Sequence, residues 1–483
     1  MLPQRFVTGT RREDWLPAAQ PIHLSQPEPH SVLVWVDESG TARARDGRTG
    51  KIIAESTDHA AVLQAAIDSA SALGGKVFVR SGKYVISSTV RVKPNVDVEF
   101  ERNAVRIGGG ANPMFYVSGS NPVHFVRISG GYFGSSTSGT NIFTVSGQGT
   151  FVLENMNFYG DYGIRRNILP IRVVVSDNHF HVYVSNIFAY AKHLIRIEKD
   201  PSKRVLRQSV MIDRVTWYYD LTDPDATMID IYANAYELYY ISASNIYGYF
   251  HGTGIKMTTE GTGYIHFCRF SNVILDTDNG IYINAAGEEI ADIFFSNVFI
   301  YPKGDNGYGF YATGKVHSIG ADQLTIQFTY NTVLTGIAIL PTEQTYTRGG
   351  FFRFTGLRLY DVNVPSDVGQ RSIVTNSYVH DSVFEGTQLY LNHAQIQGSN
   401  VRVITPFSVK SGKATFSGDG STTQFKIPHG LAAAPSKVLV TPGSSDARGA
   451  FHATADATYI YVNYATAPPA GTNNVVLYWY AEI

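Results

Sequence analysis

Cysteine is all but absent: Cys268 is the only one in 483 residues. No disulfide framework is therefore available within one chain, and the thiol's place four residues before a repeat centre marks it as core packing rather than a reactive group. Charge is also scarce. Charged residues make up 16% of the chain, and 39 basic against 40 acidic side chains leave a net charge of −1, so no polybasic footprint points to nucleic acid. No apolar run is long enough to cross a bilayer, and the opening MLPQRFVTGTRREDWLP lacks the apolar core of a secretion signal. A phosphate-binding glycine loop, a zinc spacing and a nucleophile elbow are all missing, so neither metal nor cofactor is expected. Aromatic residues are plentiful at 13%, with 30 tyrosines. A tyrosine-rich, weakly charged surface suits sugars or protein partners better than polyanions.

What organises the chain is a repeat. Its centres are Asn155, Asn186, Arg214, Asn245, Asn272, Asn297, Gln323 and Gly356, 25 to 33 residues apart. One position after each centre stand Met156, Ile187, Val215, Ile246, Val273, Val298, Leu324 and Leu357; two positions before stand Leu153, Val184, Ile212, Ala243, Phe270, Phe295, Ala321 and Phe354. Period-two placement of branched and aromatic residues between Gly and Asn is the mark of short strands. A unit this small cannot bury a face alone, so the units must stack, with equivalent residues about 4.8 Å apart along the stack. The expected fold class is all-β: a right-handed parallel β-helix, or solenoid. The Asn centres read as turn chemistry, because a short amide tolerates left-handed backbone at a sharp bend.

Residues 1–55 read as an attachment or linker segment ending in a small strand cluster, with turns at Glu38-Ser39-Gly40 and Asp46-Gly47. From Ser56-Thr57-Asp58 a helix is expected, with Val62, Ala66, Ile67, Ala70 and Leu73 on one face and Gly74-Gly75 as its stop. Its expected task is to cap the open end of the solenoid, whose unpaired edges would invite aggregation. The run STDHAAVLQAAIDSASALGGKVFVRSGKYVISSTVRVKPNVDVEF, residues 56–100, resembles the entrance of pectate-lyase-like right-handed β-helix proteins, especially viral tailspikes. Asp58, Gly74, Gly75, Gly82 and Tyr84 occupy the matching places, while Arg80 stands where the family usually has Pro. The resemblance covers about a tenth of the chain and concerns fold, since the fold hosts lyases, hydrolases and non-catalytic adhesins. The solenoid is expected over 56–410. Residues 411–483, with short alternating runs between Gly, Pro, Ser and Asp clusters, read as a small C-terminal β-sandwich similar to modules appended to viral tail proteins.

Aligning the units exposes two further lanes. Four positions after the centres come Tyr159, Tyr190, Tyr218, Tyr249, Asp276, Tyr301, Gln327 and Tyr360. Such a column could stack on sugar rings; it would serve equally to brace neighbouring rungs or to lie between subunits. Six positions after come Asp161, Lys192, Asp220, His251, Asp278 and Lys303, nearly alternating in sign. Either this is a ladder of cross-strand ion pairs, or it holds an acid/base cleft. In the second case Asp220, Asp276 and Asp278 are the candidate catalytic carboxylates, about 6 to 10 Å apart by strand geometry, a span that suits inverting glycoside hydrolysis. Tyr218, Tyr249, Tyr301 and His251 are the candidate substrate contacts. Asp223 and Asp225 in DLTDPD, and the pair Glu288-Glu289, read as solvated acidic loops rather than calcium sites.

The expected function is that of a virion tailspike or fibre that recognises a host surface polysaccharide and is a candidate to cut it. The expected partners are that glycan, two further copies of the chain in a homotrimer, and other virion components held by the N-terminal segment. A secreted lyase or glycoside hydrolase is one rival, and a purely structural or adhesive β-helix is the other.

Overall fold

The computed structural model describes residues 32–483 apart from 73, 102–104, 136, 160–166, 206, 220–222, 224, 304–306, 329–334, 343–351, 362–370, 380, 389–395, 398–400, 405–408 and 432–433. Expectations for the attachment segment up to residue 31, for Leu73, for Asp161 and for Asp220 lie outside the described residues.

Among the described residues, twenty-six strands between Val32 and Ile404 join in one hydrogen-bonded system. Its pairings are parallel except at the entrance, where Val32–Val36, Ala42–Asp46 and Ile52–Ser56 form an antiparallel meander. The two entrance turns are built by carboxylates: Asp37 accepts from the Ser39 and Thr41 amides, and Asp46 from those of Arg48 and Thr49. Val32–Val36 also pairs in parallel with Gly75–Val79, which ties the meander to the solenoid.

Beyond the entrance the chain is a parallel β-helix in the register read from the sequence. Leu153, Val184, Ile212, Ala243, Phe270, Phe295, Ala321 and Phe354 are paired rung by rung. Met156, Ile187, Val215, Ile246, Val273, Val298 and Leu324 are paired likewise. Every member of both lanes is buried, as is Leu357. Each of these side chains larger than alanine contributes about 1.5–3 kcal/mol on leaving water, and like residues meet like: the rings of Phe270 and Phe295 stack at 5.0 Å. Cys268 is buried in this core, and burial pushes its thiol up to about 12.

All eight centres adopt left-handed backbone, with φ between 51° and 63°. Asn and Gly accept that conformation cheaply, whereas other L-residues pay about 1–2 kcal/mol. The asparagines also bond each other across rungs: Asn186 Nδ2 donates to Asn155 Oδ1 at 2.6 Å, Asn272 to Asn245 at 3.2 Å and Asn297 to Asn272 at 2.9 Å.

The helix spans His59–Ser71, with Asp58 as N-cap accepting from the Ala60 and Ala61 amides. Ala60, Val62, Leu63, Ala66, Ile67 and Ala70 are buried, in the same core as the first strands. His59 fastens it sideways, bonding the Gly40 carbonyl at 2.9 Å through Nε2 and accepting the Val85 amide at Nδ1.

Near the C-terminus two three-stranded antiparallel sheets face each other. One contains Val409–Gly418, Gly471–Glu482 and Lys437–Pro442; the other contains Gln424–Pro428, Tyr459–Tyr464 and Phe451–Ala455. Phe425, Ile427, Ile460, Val462, Val475 and Leu477 form a core between them that shares no residue with the solenoid core. Among the described residues no helix is long and apolar enough to cross a membrane.

Candidate functional site

Parallel pairing turns the tyrosine lane into a physical column. Tyr159, Tyr190, Tyr218 and Tyr249 are register partners on successive rungs, and Asp276 takes the next place. Tyr159 and Tyr190 stack at 5.6 Å with 24° between planes, and Tyr218 and Tyr249 at 4.9 Å and 18°. Rings stacked this way spend their faces on one another and offer edges and hydroxyls to solvent. The column ends at Asp276, where Tyr249 meets a carboxylate in place of a fifth ring. Burial raises the Tyr249 pKa, helped by the neighbouring hydroxyls of Tyr218 and Tyr247 and by the Asp276 carboxylate. Tyr301 closes the far side: its amide donates to the Leu275 carbonyl at 2.7 Å, which sets it beside the rung that carries Asp276.

Between Tyr249 and Tyr301 lies a notch of charge. Lys303 Nζ is 2.7 Å from Asp276 Oδ1 and 5.9 Å from the Tyr301 ring centre. This contact is an ion pair without hydrogen-bond alignment, since the buried Asp276 Oδ1 accepts no hydrogen bond. Asp278 is held separately, by His251 Nδ1 at 3.1 and 3.3 Å and by the Gly252 amide at 3.0 Å. The structure thus brings together Tyr218, Tyr249, Tyr301, His251, Asp276 and Asp278. It also supplies each carboxylate with its own cationic or N–H partner. Further along the lane Lys192 pairs with Asp223 at 2.7 Å. Burial alone would raise Asp223, yet Lys192 and the Asp225 amide hold it below its ordinary value. Glu288 and Glu289 are likewise engaged, by Lys315 at 3.2 Å and His317 at 2.9 Å. Among the described residues no group of three or more His, Cys, Asp or Glu is arranged to hold a metal ion.

The chain matches no family profile and no curated protein. Solved structures do resemble it. One is the Dettilon tailspike protein, at 11% identity over 87% of this chain and 90% of that one, with a TM-score of 0.43. Another is the tailspike of E. coli bacteriophage HK620 in complex with a pentasaccharide, at 12% identity over 87% and 89%, with a TM-score of 0.45. A mutant of that tailspike in complex with a hexasaccharide matches at the same identity, coverage and TM-score.

Sequence reasoning missed a second polar network, on another face of the solenoid. Arg172, Arg196, Asp230 and Lys256 are register partners on successive strands. Arg196 reaches Glu198 at 2.7 Å and Asp230 at 3.0 Å, and Arg172 Nε donates to Glu198 at 2.8 Å. A concavity of about 210 Å³ opens here, lined by Asn141, Asn167, His193, Arg196 and Asp230. Burial raises the Asp230 pKa, and burial together with Lys192 lowers His193 to about 4. The charged residues themselves were plain in the sequence. These strands carry no asparagine centre, however, so nothing aligned one with the next.

Proposed function

We propose that the chain is a virion tailspike or fibre protein that recognises a host surface polysaccharide on the face formed by Tyr218, Tyr249, Tyr301, His251, Asp276 and Asp278. The observation that carries this reading is the interruption of the stacked column at Asp276. Among the described residues one face of Tyr249 has no aromatic partner, and beside it stands the Asp276 carboxylate, paired with the Lys303 ammonium. A pyranose needs this pairing of an apolar ring face with hydroxyl-bonding groups close by. The resemblance of residues 56–100 to tailspike entrances agrees with it.

The pairing of the carboxylates favours binding over bond cleavage at this place. A general acid must reach the glycosidic oxygen with its own carboxyl, and here both carboxylates are already engaged within the protein: Lys303 Nζ lies 2.7 Å from Asp276 Oδ1, and His251 Nδ1 lies 3.1 Å from Asp278 Oδ1. Asp278→Asn is therefore expected to lower the melting temperature slightly and to leave any release of new reducing ends as in the parent. Loss of a cleavage present in the parent, with melting unchanged, would make Asp278 catalytic.

The direct test is an array of purified bacterial capsular and O-polysaccharides. The parent should bind a subset of them. Tyr249→Ala should weaken that binding by roughly tenfold, the worth of a stacked ring, with little change in melting. A parent that binds no polysaccharide would return the chain to the structural or adhesive reading.

A further inference from the structure

The asparagine bend does more than turn the chain. Along it runs a concavity of about 700 Å³, whose lining includes Asn155, Asn186, Arg214, Asn245, Phe188 and Tyr247. The groove follows the solenoid axis, so an extended polymer lying in it meets one bend residue per rung. Its chemistry is that of a saccharide site. Amides carry both donors and acceptors, and each bonds a neighbouring rung through only part of its capacity. Phe188, 38% exposed, supplies an apolar surface in the wall.

Arg214 is the residue that turning does not explain. At 52° its φ is left-handed, a conformation that Asn or Gly would adopt at less cost, and it breaks the amide ladder in the middle of the groove. Asn245 Nδ2, which would otherwise donate to residue 214, donates to Asp213 Oδ1 at 2.7 Å. Ser244 Oγ donates to the same oxygen at 2.8 Å, and Arg214 Nε meets Asp213 Oδ2 at 2.9 Å. Asp213 is thus well supplied with partners. The Arg214 side chain remains 65% exposed, and its two Nη groups form a fork that suits a carboxylate.

We propose that this groove binds an extended acidic polysaccharide, with sugar hydroxyls on the asparagine amides, a ring against Phe188 and a sugar carboxylate on Arg214. The proposal rests on the reading of the chain as a glycan-recognising protein, and it adds a second contact surface and the chemical class of the polymer. The groove adjoins the tyrosine column, since Phe188 lies 5.5 Å from Tyr218, so one polymer chain could touch both.

Arg214→Asn separates this role from a structural one, because asparagine is the residue the bend uses on neighbouring rungs. The variant should melt no lower than the parent. The probes are uronic-acid-bearing bacterial polysaccharides, each also printed after chemical reduction of its carboxylates to neutral alcohols. Binding of the acidic forms should fall by roughly tenfold or more, the loss of a charged hydrogen-bonded pair, while the reduced forms bind parent and variant alike. Three results would overturn the proposal: unchanged binding by the variant, an equal loss on acidic and reduced forms, or a parent that selects only neutral polymers. A parent that binds no polysaccharide at all would overturn the underlying functional reading as well, and so is distinguishable from a failure of the groove alone.

Discussion

At the residue scale the bends and the buried ionisable groups carry the sharpest expectations. Asn272 accepts φ of 53°, donates to Asn245 and accepts from Asn297. Asn272→Val should cost about 2–4 kcal/mol, from left-handed strain on a β-branched residue plus two lost hydrogen bonds; Asn272→Gly should cost less, and urea unfolding of the two variants checks the order. Val273, one residue on, is fully buried, so Val273→Asp should unfold or aggregate the chain. His193 sets a pH dependence. Burial, with Lys192 beside it, lowers its pKa from 6.5 to about 4 in the folded chain, so on acidification the unfolded state takes up the proton first. The stability it contributes is complete above about pH 6.5 and drains away as pH falls towards 4, amounting to about 3 kcal/mol at most. His193→Gln should flatten the fall in melting temperature between pH 7 and pH 4.5; an unchanged slope would mean that other groups set it.

At the scale of elements, the strands that follow the asparagine centres were legible because three signals coincide there: alternation, branched or aromatic side chains, and an amide where the backbone must turn left-handed. Both inward lanes and the tyrosine lane followed from aligning those centres. The strands of the second polar face were not legible in the same way, although they alternate as clearly. Arg196, Glu198 and Asp230 could not be set in register without such a marker, so the network they form was invisible. Ion-pair partners escaped for a related reason: that Lys303 meets Asp276 rather than Asp278 depends on side-chain reach across a rung, which spacing does not fix. The helix was legible from its cap and its apolar face, and we propose that it closes the first rung. Ile67→Asp, at a fully buried position, should then expose the entrance strands and promote aggregation, which light scattering on gentle heating would report. The C-terminal sheets have a core of their own, so residues 409–483 expressed alone should melt cooperatively.

At the scale of the whole molecule, the solenoid shows solvent more apolar surface than turning and stacking require. Tyr240 and Phe267 are 50% and 47% exposed, stacked at 5.6 Å, and both in left-handed backbone; Phe294 is exposed as well. Exposed ring surface of this kind marks an interface, and we propose that it lies between copies of a homotrimer. Light scattering at micromolar concentration should give three times the chain mass, and a monomer would remove the proposal. The proposed function stands on a sugar being held where the tyrosine column stops. A crystal structure with a bound fragment of the polysaccharide selected on the array tests it most directly. A pyranose is expected against the face of Tyr249 turned towards Asp276, within hydrogen-bonding reach of Asp276, Lys303 or His251; a fragment bound away from this face would contradict it.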